Sequence, residues 1–253
     1  MKNLLFKILF VIDVYTMGVF VGLTVMILRT LGVIKVLNWN RLPKYGRSPE
    51  LFKNGLIVVC NHPSLLEPIT VSGLFFGHYF WHPFKLSPWN IAEERNYKNR
   101  WWEWASPRIV WIDRSSSKKS REAFRETQNI LRSGGVVIIF PEGGRTEGGK
   151  TSPTSEKDFL YAKRGGKIRP LKEGVGLLAK RTNASVLFLW TSGSESVMPN
   201  IPGKLYSFPR LIGNGGVNRI LIKVGGVLRF NAEESASEIT QKIACELLRL
   251  ADE

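Results

Sequence analysis

Two residues that suit acid–base chemistry lie close together directly after an apolar run. The segment NHPSLLEP, from Asn61 to Pro68, places four residues between His62 and Glu67. Histidine is the natural general base at neutral pH, and a nearby carboxylate can fix the tautomer of its ring and stabilise the imidazolium that forms. Because Pro63 suits the first turn of a helix, the segment can bend Glu67 back towards His62. The alternative is a capping Asn61 followed by a surface histidine with no catalytic role.

A second segment, PEGGRT from Pro141 to Thr146, has the residue types that bind an anion. Its glycines, Gly143 and Gly144, let the backbone approach a ligand closely, and the N–H groups of such a turn can form an anion-binding nest. Arg145 can hold a phosphate with two parallel hydrogen bonds. On its own, the same pattern also fits a glycine turn with a solvated arginine.

A third segment, WIDRS from Trp111 to Ser115, offers one more cation directly after an apolar run. Arg114 can supply a second contact to the same phosphate if the two segments meet in the fold. A charged residue after a strand is more often simply solvated, so this segment indicates a binding site only in combination with the other two.

Apolar runs of branched residues precede the three segments, and such runs predict buried strands. Strands are predicted over Leu56–Cys60, Arg108–Asp113 and Gly135–Phe140, and each leads into one of the segments. Open α/β sheets hold their sites at the carboxyl ends of their strands. Helices over Ser120–Arg132, Gly174–Arg181 and Ala236–Leu250 alternate with further strands over Ser185–Trp190, Ile220–Val224 and Val227–Phe230. This alternation predicts an α/β fold, with a mostly parallel central sheet flanked by helices.

Two stretches of the chain show no clear apolar period. Residues 147–172 are rich in glycine, serine and lysine and are predicted to be a loop. Residues 78–108 are dense in aromatic side chains, among them Trp101, Trp102 and Trp104. We expect these aromatic residues to pack in the core and at an interface, since tryptophans beside a membrane often lie at headgroup level.

The N-terminus is the most apolar part of the chain. Val14–Leu28 carries no charge, but as a helix it rises only about 22 Å, which is less than a hydrocarbon core of about 30 Å. Extending the helix back to Leu4 brings in Lys7 and Asp13, and an ionisable group at mid-depth costs about 2.5–3.5 kcal/mol. We therefore expect a membrane-associating helical segment retained in one leaflet. A single span, a cleaved signal peptide and a soluble core helix are the alternatives.

The residues in and after this segment indicate what it contacts. Gly18 and Gly22 are spaced so that a second helix can approach closely. Basic residues follow the apolar run, which favours anionic headgroups on the cytoplasmic side; they are Arg29, Lys35, Arg41, Lys44 and Arg47. The predicted division is an N-terminal membrane anchor of residues 1–40 and a folded domain of residues 41–253.

The composition fits one packed domain with an anionic partner. Of the 253 residues, 43% are hydrophobic and 23% are charged, which is typical of a globular core and not of a disordered chain. The formal net charge of +15 predicts binding to nucleic acid or to an anionic membrane surface. The two cysteines, Cys60 and Cys245, lie in no metal-ligand spacing, so we expect two buried thiols, no disulfide framework and no metal site.

Together, the three segments resemble the glycerolipid acyltransferase family, which includes the lysophosphatidate acyltransferases. That family carries NHxxxxD, then an Ile-x-Arg box and then FPEGTRS. This chain has NHPSLLE at Asn61–Glu67, IDR at Ile112–Arg114 and FPEGGRT at Phe140–Thr146. The stretch Leu171–Trp190 is similar to the one that leads into the family's fourth box, so the resemblance covers about residues 50–230.

The resemblance implies a reaction and a role for each segment. His62 would be the base that removes the proton from the acceptor hydroxyl, and Glu67 would stand where the family has aspartate. The acceptor phosphate would be bound by Arg114, Glu142, Gly143, Gly144 and Arg145. The acyl donor would be a thioester of coenzyme A or acyl carrier protein, attacked directly and without a cofactor. The sequence agrees in offering no GxSxG nucleophile elbow.

The chain departs from the family's pattern in several places. Glu67 is one methylene longer than the usual aspartate, and Gly144 replaces the usual threonine. Val186–Trp190 lacks the proline of the fourth box, the loop after Thr146 is longer than expected, and Ala92–Glu94 reads AEE where the family often has a lysine. These departures bear on which lipid is the acceptor more than on whether acyl transfer is the reaction.

The implied protein is a membrane-bound acyltransferase on the cytoplasmic face of the inner membrane, acting on a lysophospholipid such as lysophosphatidate. A catalytically inactive membrane-binding homologue, and an esterase or thioesterase that uses His62 with water, are the alternatives. Nucleic acid is not an expected partner, because it explains the charge but neither the three segments nor the N-terminus. The sequence leaves the acceptor, the acyl length, the donor carrier and the oligomeric state open.

Overall fold

The computed structural model of the protein describes residues 2–94, 108–147, 155–201, 207, 209–213 and 216–253. Its strands are β1 Ile34–Leu37, β2 Leu56–Cys60, β3 Pro88–Glu93, β4 Ile109–Ile112, β5 Val136–Ile139, β6 Leu160–Tyr161, β7 Lys167–Ile168, β8 Ser185–Ser192, β9 Ile212–Gly213, β10 Gly216–Val217 and β11 Ile220–Leu228. Its helices are α1 Lys2–Asp13, α2 Val19–Thr30, α3 Glu67–Leu74, α4 Phe76–Trp81, α5 Pro83–Leu86, α6 Ser117–Arg132, α7 Gly174–Thr182, α8 Ser194–Val197 and α9 Ala236–Asp252. One π-helical turn covers Val14–Gly18, and 3₁₀ turns cover Trp39–Arg41, Pro49–Phe52 and Glu156–Asp158.

A seven-stranded sheet forms the centre of the described structure, in the order β1-β11-β8-β2-β5-β3-β4. Neighbouring strands from β8 to β4 are parallel, whereas β11 is antiparallel to β8 and β1 is parallel to β11. The predicted α/β fold with a mostly parallel sheet is therefore confirmed. Because β8, β2, β5, β3 and β4 run the same way, their carboxyl ends lie at one edge of the sheet, which we call the carboxyl edge.

Both faces of the sheet are covered by helices, which explains why β2 is apolar throughout. All residues of Leu56–Cys60 are buried; Val58 and Cys60 belong to one hydrophobic core, and Ile57 and Val59 belong to the other. The first core is completed by side chains from α1 to α5, and the second by side chains from α6, α7 and α9. Apolar residues on both faces are typical of strands in parallel sheets.

Two strands of the central sheet were missed by the sequence analysis. β3 lies inside the aromatic segment, and its sequence PWNIAE has neither a run of branched residues nor an alternation, since most of its positions are half-buried. β1 falls within the predicted anchor of residues 1–40, but it pairs with β11 from Ile34 to Leu37. The aromatic residues Trp101, Trp102 and Trp104 lie outside the described residues.

Two other predictions are corrected in detail. The two late strands are one strand, β11, in which the pairing with β8 shifts register between Val224 and Val227. The stretch predicted as a loop contains a short antiparallel hairpin, β6–β7, where Leu160 pairs with Ile168. Both features depend on a partner strand, which the local sequence does not specify.

The N-terminal segment forms one long helical stretch that contributes to the folded domain. Leu4–Thr30 is long and apolar enough to cross a membrane, judged by length and composition. Phe10, Val14 and Val25 are buried in the first core. Other apolar side chains are exposed, and we call this set the exposed helix face: Leu4, Leu5, Phe6, Ile8, Leu9, Ile12, Phe20, Leu23 and Ile27.

Small residues bring α2 into close contact with α3 and α4. A Cβ atom at Gly22 would lie 2.3 Å from the ring of Phe76, and one at Gly73 would lie 2.4 Å from Val25 Cγ2. The carbonyl of Gly18 accepts a hydrogen bond from the buried hydroxyl of Tyr79 at 2.6 Å. The prediction that this glycine spacing lets a second helix approach is confirmed, and the partner lies within this chain.

Asp13 forms a buried ion pair with Arg108, with 2.5 Å between Asp13 Oδ2 and Arg108 Nε. Asp13 faces the domain and is only 3% exposed. The apolar helix tolerates this carboxylate because the guanidinium of Arg108 offsets its charge. The division into an anchor of residues 1–40 and a domain of residues 41–253 stays a prediction, although Ile34–Leu37 already belongs to the central sheet.

The two cysteines differ in their surroundings. Cys60 is buried, as expected, whereas the expectation of a buried Cys245 is wrong, because this residue is exposed. Cys245 lies on α9, which buries the stripe Ile239, Ile243 and Leu247 against the second core. A position two residues after Ile243 therefore points away from the sheet.

Candidate active site

The side chain of Asn61 extends the pairing of β2 with β8 beyond the end of β2. Its Nδ2 donates to the carbonyl oxygen of Thr191 at 2.8 Å, and its Oδ1 accepts from the backbone N–H of Thr191 at 2.7 Å. A side-chain amide thus stands in for the backbone in the ladder, and the main chain leaves the sheet at this point. His62 is thereby placed at the carboxyl edge.

The side chains of His62 and Glu67 lie within hydrogen-bond distance, as the sequence predicted. The distance from His62 Nδ1 to Glu67 Oε2 is 3.1 Å, and the side chains are 12% and 0% exposed. The prediction that Pro63 lies in the first helical turn is wrong, because α3 begins at Glu67 and the proline in its first turn is Pro68. The loop before α3 brings the carboxylate back to the imidazole. The ring of His62 stacks on Phe140, with 4.4 Å between centroids and 22° between planes.

Two serine residues form hydrogen bonds with both oxygen atoms of the Glu67 carboxylate. The backbone N–H of Ser64 donates to Oε2 at 2.9 Å, and its hydroxyl donates to Oε1 at 3.2 Å. The hydroxyl of Ser194, which follows β8, also donates to Oε1 in a short hydrogen bond. Both serines are fully buried. Sequence reasoning missed Ser194, which lies 127 positions from Glu67.

Glu142 lies in the interior, beneath the glycine turn. Its Oε1 accepts from the backbone N–H of His62 at 2.9 Å and from the hydroxyl of Thr146 at 2.8 Å, and its Oε2 accepts from the backbone N–H of Arg169 at 2.9 Å. The residue is 0% exposed. Burial raises the pKa of Glu142 above its ordinary value, and these hydrogen bonds act in the opposite direction. The carboxylate of Glu142 therefore joins three parts of the chain through hydrogen bonds, at His62, Thr146 and Arg169.

The backbone of Gly143 is used differently from the predicted anion nest. Its φ of +73° lies in the left-handed region, which favours glycine. Its N–H donates to the carbonyl of Phe140 at 3.1 Å and closes the turn, so this N–H is not directed at an anion. Its carbonyl accepts from Arg114 Nη1 at 2.5 Å. Arg114 is also paired with Glu93 through Nε at 3.1 Å, and its side chain is half-exposed.

Arg145 is connected to the first segment through Asn200. Arg145 Nη1 donates to Asn200 Oδ1 at 2.8 Å, and Asn200 Nδ2 donates to the carbonyl of Pro63 at 2.7 Å. The buried guanidinium of Arg169 supports the same turn, because it donates to the carbonyls of Glu142 at 2.8 Å and Arg145 at 3.3 Å. Neither Asn200 nor Arg169 lies in a residue pattern that marks a site, so sequence reasoning missed both.

The three segments predicted from the sequence thus meet at the carboxyl edge. Thr146 donates its backbone N–H to the carbonyl of His62 at 2.8 Å, which joins the first segment to the second. The bond from Arg114 to Gly143 joins the third to the second, and Gly144 lies half-buried in the same turn. Within the described ranges, no group of three or more His, Cys, Asp or Glu side chains is placed to hold a metal.

Comparison with known proteins places this arrangement in a family. Residues 33–192 match the family model described as Acyltransferase. The fold is similar to the crystal structure of the 1-acyl-sn-glycerophosphate (LPA) acyltransferase PlsC from Thermotoga maritima, at 18% identity and a TM-score of 0.56, over 99% of this chain and 95% of that chain. No curated protein matches the sequence significantly. Because the family model spans more than half of the chain, this protein belongs to the acyltransferase family.

Proposed function

We propose that the protein transfers a fatty acyl group from an acyl thioester to a hydroxyl of a lysophospholipid such as lysophosphatidate. The observation that carries the proposal is the 3.1 Å pairing of His62 with the buried carboxylate of Glu67, at the carboxyl edge of an acyltransferase-family domain. With Nδ1–H donating to Glu67, Nε2 of His62 keeps a lone pair that can accept a proton.

The proposed reaction has two proton transfers through His62. Nε2 takes the proton of the acceptor hydroxyl while the oxygen attacks the thioester carbonyl. The tetrahedral intermediate then expels the thiolate, which takes the proton back from the imidazolium, so that the products are the acylated lipid and a free thiol. The carboxylate of Glu67 stabilises the imidazolium between the two steps. The thiol belongs to coenzyme A or acyl carrier protein, and the balance requires no cofactor and no acyl-enzyme.

The acceptor phosphate is assigned to two arginines. Arg145 is held through Asn200 beside Pro63, the residue next to His62, so it can place the neighbouring hydroxyl near the base. Arg114 donates to the carbonyl of Gly143 and is paired with Glu93, so its guanidinium is held at the same turn. We therefore expect both arginines to contribute to phosphate binding.

The glycine turn of Pro141–Thr146 positions both arginines, because it contains Arg145 and its Gly143 carbonyl binds Arg114. The buried carboxylate of Glu142 would repel a phosphate, and its hydrogen bonds are directed at the protein; we therefore assign it a positioning role. Gly143 and Gly144 let this turn fold tightly beneath the headgroup. We therefore propose that Glu142 and the N–H of Gly143 support the turn and do not contact the acceptor directly.

The exposed helix face is proposed to enter one leaflet of an anionic membrane on the cytoplasmic side. Asp13 is paired with Arg108, and α2 packs along α3 and α4, so a spanning orientation would draw part of the domain into the hydrocarbon. A helix lying in one leaflet keeps this packing and immerses only the exposed apolar side chains. Basic residues near the helix, such as Arg29 stacked 4.1 Å from the ring centre of Trp39, favour anionic headgroups.

Phe20→Gln should lower the partitioning of the protein into anionic vesicles by about tenfold. Phe20 is 66% exposed, and burial of such a side chain in the membrane contributes about 1.5–3 kcal/mol. A change of about 1.4 kcal/mol corresponds to a tenfold change in partitioning. Vesicle co-sedimentation over a range of salt concentrations measures the effect. The matched control is Leu160→Gln, because Leu160 is also exposed but belongs to the β6–β7 hairpin. Equal partitioning of both variants would contradict the assigned membrane face. Deletion of residues 1–37 is a poorer test, since it also removes β1 and part of the first core.

The reaction itself is tested with purified protein, labelled acyl-CoA and acyl-carrier-protein donors, and a panel of lysolipids. We expect an acylated lipid product, with the highest kcat/KM for a phosphorylated acceptor. Thioester hydrolysis without transfer would identify a thioesterase instead. Vesicle binding without either reaction, across the whole panel, would identify an inactive membrane-binding homologue.

A further inference from the structure

The carboxylate of Glu67 has two oxygen atoms with different surroundings. Oε2 faces His62 Nδ1 and accepts from the backbone N–H of Ser64. Oε1 points away from the imidazole and accepts from the hydroxyls of Ser64 and Ser194. Ser64 precedes Glu67 by three positions and belongs to the same loop, whereas Ser194 lies in the turn that follows β8. Ser194 therefore holds the Glu67 carboxylate from a part of the chain outside this loop.

The position of Ser194 is fixed by the turn that follows β8. Gly193 has a φ of +81°, and a Cβ atom there would lie 2.2 Å from the carbonyl oxygen of Arg219, so the turn lies directly against the residue that precedes β11. The backbone N–H of Met198 donates to the carbonyl of Ser194 at 2.8 Å. Ser194 is itself 0% exposed, so its hydroxyl is held by the sheet and does not depend on the loop that carries His62.

The orientation of a glutamate carboxylate depends on such a hydrogen bond more than that of an aspartate carboxylate does. Its side chain has one more rotatable bond, so its carboxylate can reach the imidazole in more than one orientation. An aspartate at position 67 would end about 1.5 Å closer to the backbone, by the length of one carbon–carbon bond, and could not bond with both Ser194 and His62 in their present places.

We propose that Ser194 is a positioning residue that orients the carboxylate of Glu67 for its hydrogen bond with His62, and that this chain depends on it because residue 67 is glutamate. The inference rests on the proposed function of His62 as the base. Ser194 touches no substrate; it acts through Glu67 alone.

The test is a double-mutant cycle with Ser194→Ala, Glu67→Asp and the combination of the two, assayed for acyl transfer. Ser194→Ala should lower kcat about tenfold, equivalent to about 1.4 kcal/mol, which is at the low end for a hydrogen bond to a charged group. The KM for the acceptor should stay unchanged. In the Glu67→Asp background, the same substitution should have little further effect, because the shorter carboxylate does not reach Ser194. Ser194→Thr keeps the hydroxyl and should retain most of the activity.

A second measurement does not depend on acyl transfer. The chain has three histidines, so ¹⁵N NMR of the imidazole rings, with His62→Ala to identify the signal, reports the tautomer of His62. The Nδ1–H form should dominate in the unmutated protein, and Ser194→Ala should increase the Nε2–H form. Circular dichroism and Tm are measured for every variant.

The outcomes separate this inference from the proposed function. An unchanged kcat and tautomer in folded Ser194→Ala would overturn the positioning role, as would an equal loss of kcat in both backgrounds, which indicates a general structural effect. A response of the tautomer to Ser194→Ala supports the positioning role even if no donor and acceptor pair reacts, in which case only the proposed reaction fails.

Discussion

The His62→Ala variant is expected to lose about 10²- to 10⁴-fold in kcat for acyl transfer, which is the contribution of a positioned general base. The fold should be retained, because the backbone contacts of residue 62 do not involve the imidazole. Its N–H donates to Glu142 and its carbonyl accepts from Thr146, and alanine keeps both. The substitution therefore removes the base while leaving the three segments joined.

The measurement is steady-state kinetics on the purified variant, with circular dichroism to verify folding. The matched control is His82→Ala, since His82 is exposed and belongs to the turn between α4 and α5, away from the carboxyl edge. We expect this control to keep normal turnover. Near-normal kcat in folded His62→Ala would show that another group takes the proton of the acceptor hydroxyl.

Loss of Arg145 should reduce kcat/KM by about 10- to 150-fold for a phosphorylated acceptor and much less for an acceptor without phosphate. Hydrogen bonds to charged groups contribute about 1.5–3 kcal/mol each, and 1.4 kcal/mol corresponds to tenfold. The backbone carbonyl of Arg145, which accepts from Arg169, is kept in Arg145→Ala, so the turn should remain formed. Arg114→Ala should also lower kcat/KM for the phosphorylated acceptor, because its guanidinium is held at the same turn by the carbonyl of Gly143.

Kinetics on lysophosphatidate and on a monoacylglycerol, measured side by side, give the required comparison. Arg145→Lys keeps the charge but loses the planar pair of donors, so it should recover only part of the loss. Arg125→Ala, at an exposed position on α6, controls for the general effect of removing one cation. An equal loss on both acceptors would remove the phosphate-binding role and leave Arg145 as a support of the loop.

The sequence alone was sufficient for the class of fold and for the three segments that meet at the carboxyl edge. The runs at Leu56–Cys60 and Val136–Ile139 are buried on both faces, so their composition revealed them without knowledge of their neighbours. Because polar segments follow parallel strands directly, their convergence at one edge could also be predicted. The pairing of His62 with Glu67 is local and could therefore be predicted, although the helix begins at Glu67 and not at Pro63.

Tertiary structure decided which groups face the interior and which remain available to a substrate. The sheet order places β5 beside β2. Glu142, which follows β5, can therefore accept a hydrogen bond from the backbone N–H of His62, although the two residues are 80 positions apart. Ser194 and Asp13 find their partners at separations of 127 and 95 positions. No local pattern encodes such pairs, because burial of a polar group depends on the strand or helix that comes to lie against it. The same holds for β3, whose weak apolar pattern becomes a strand only because β4 and β5 supply partners on both sides.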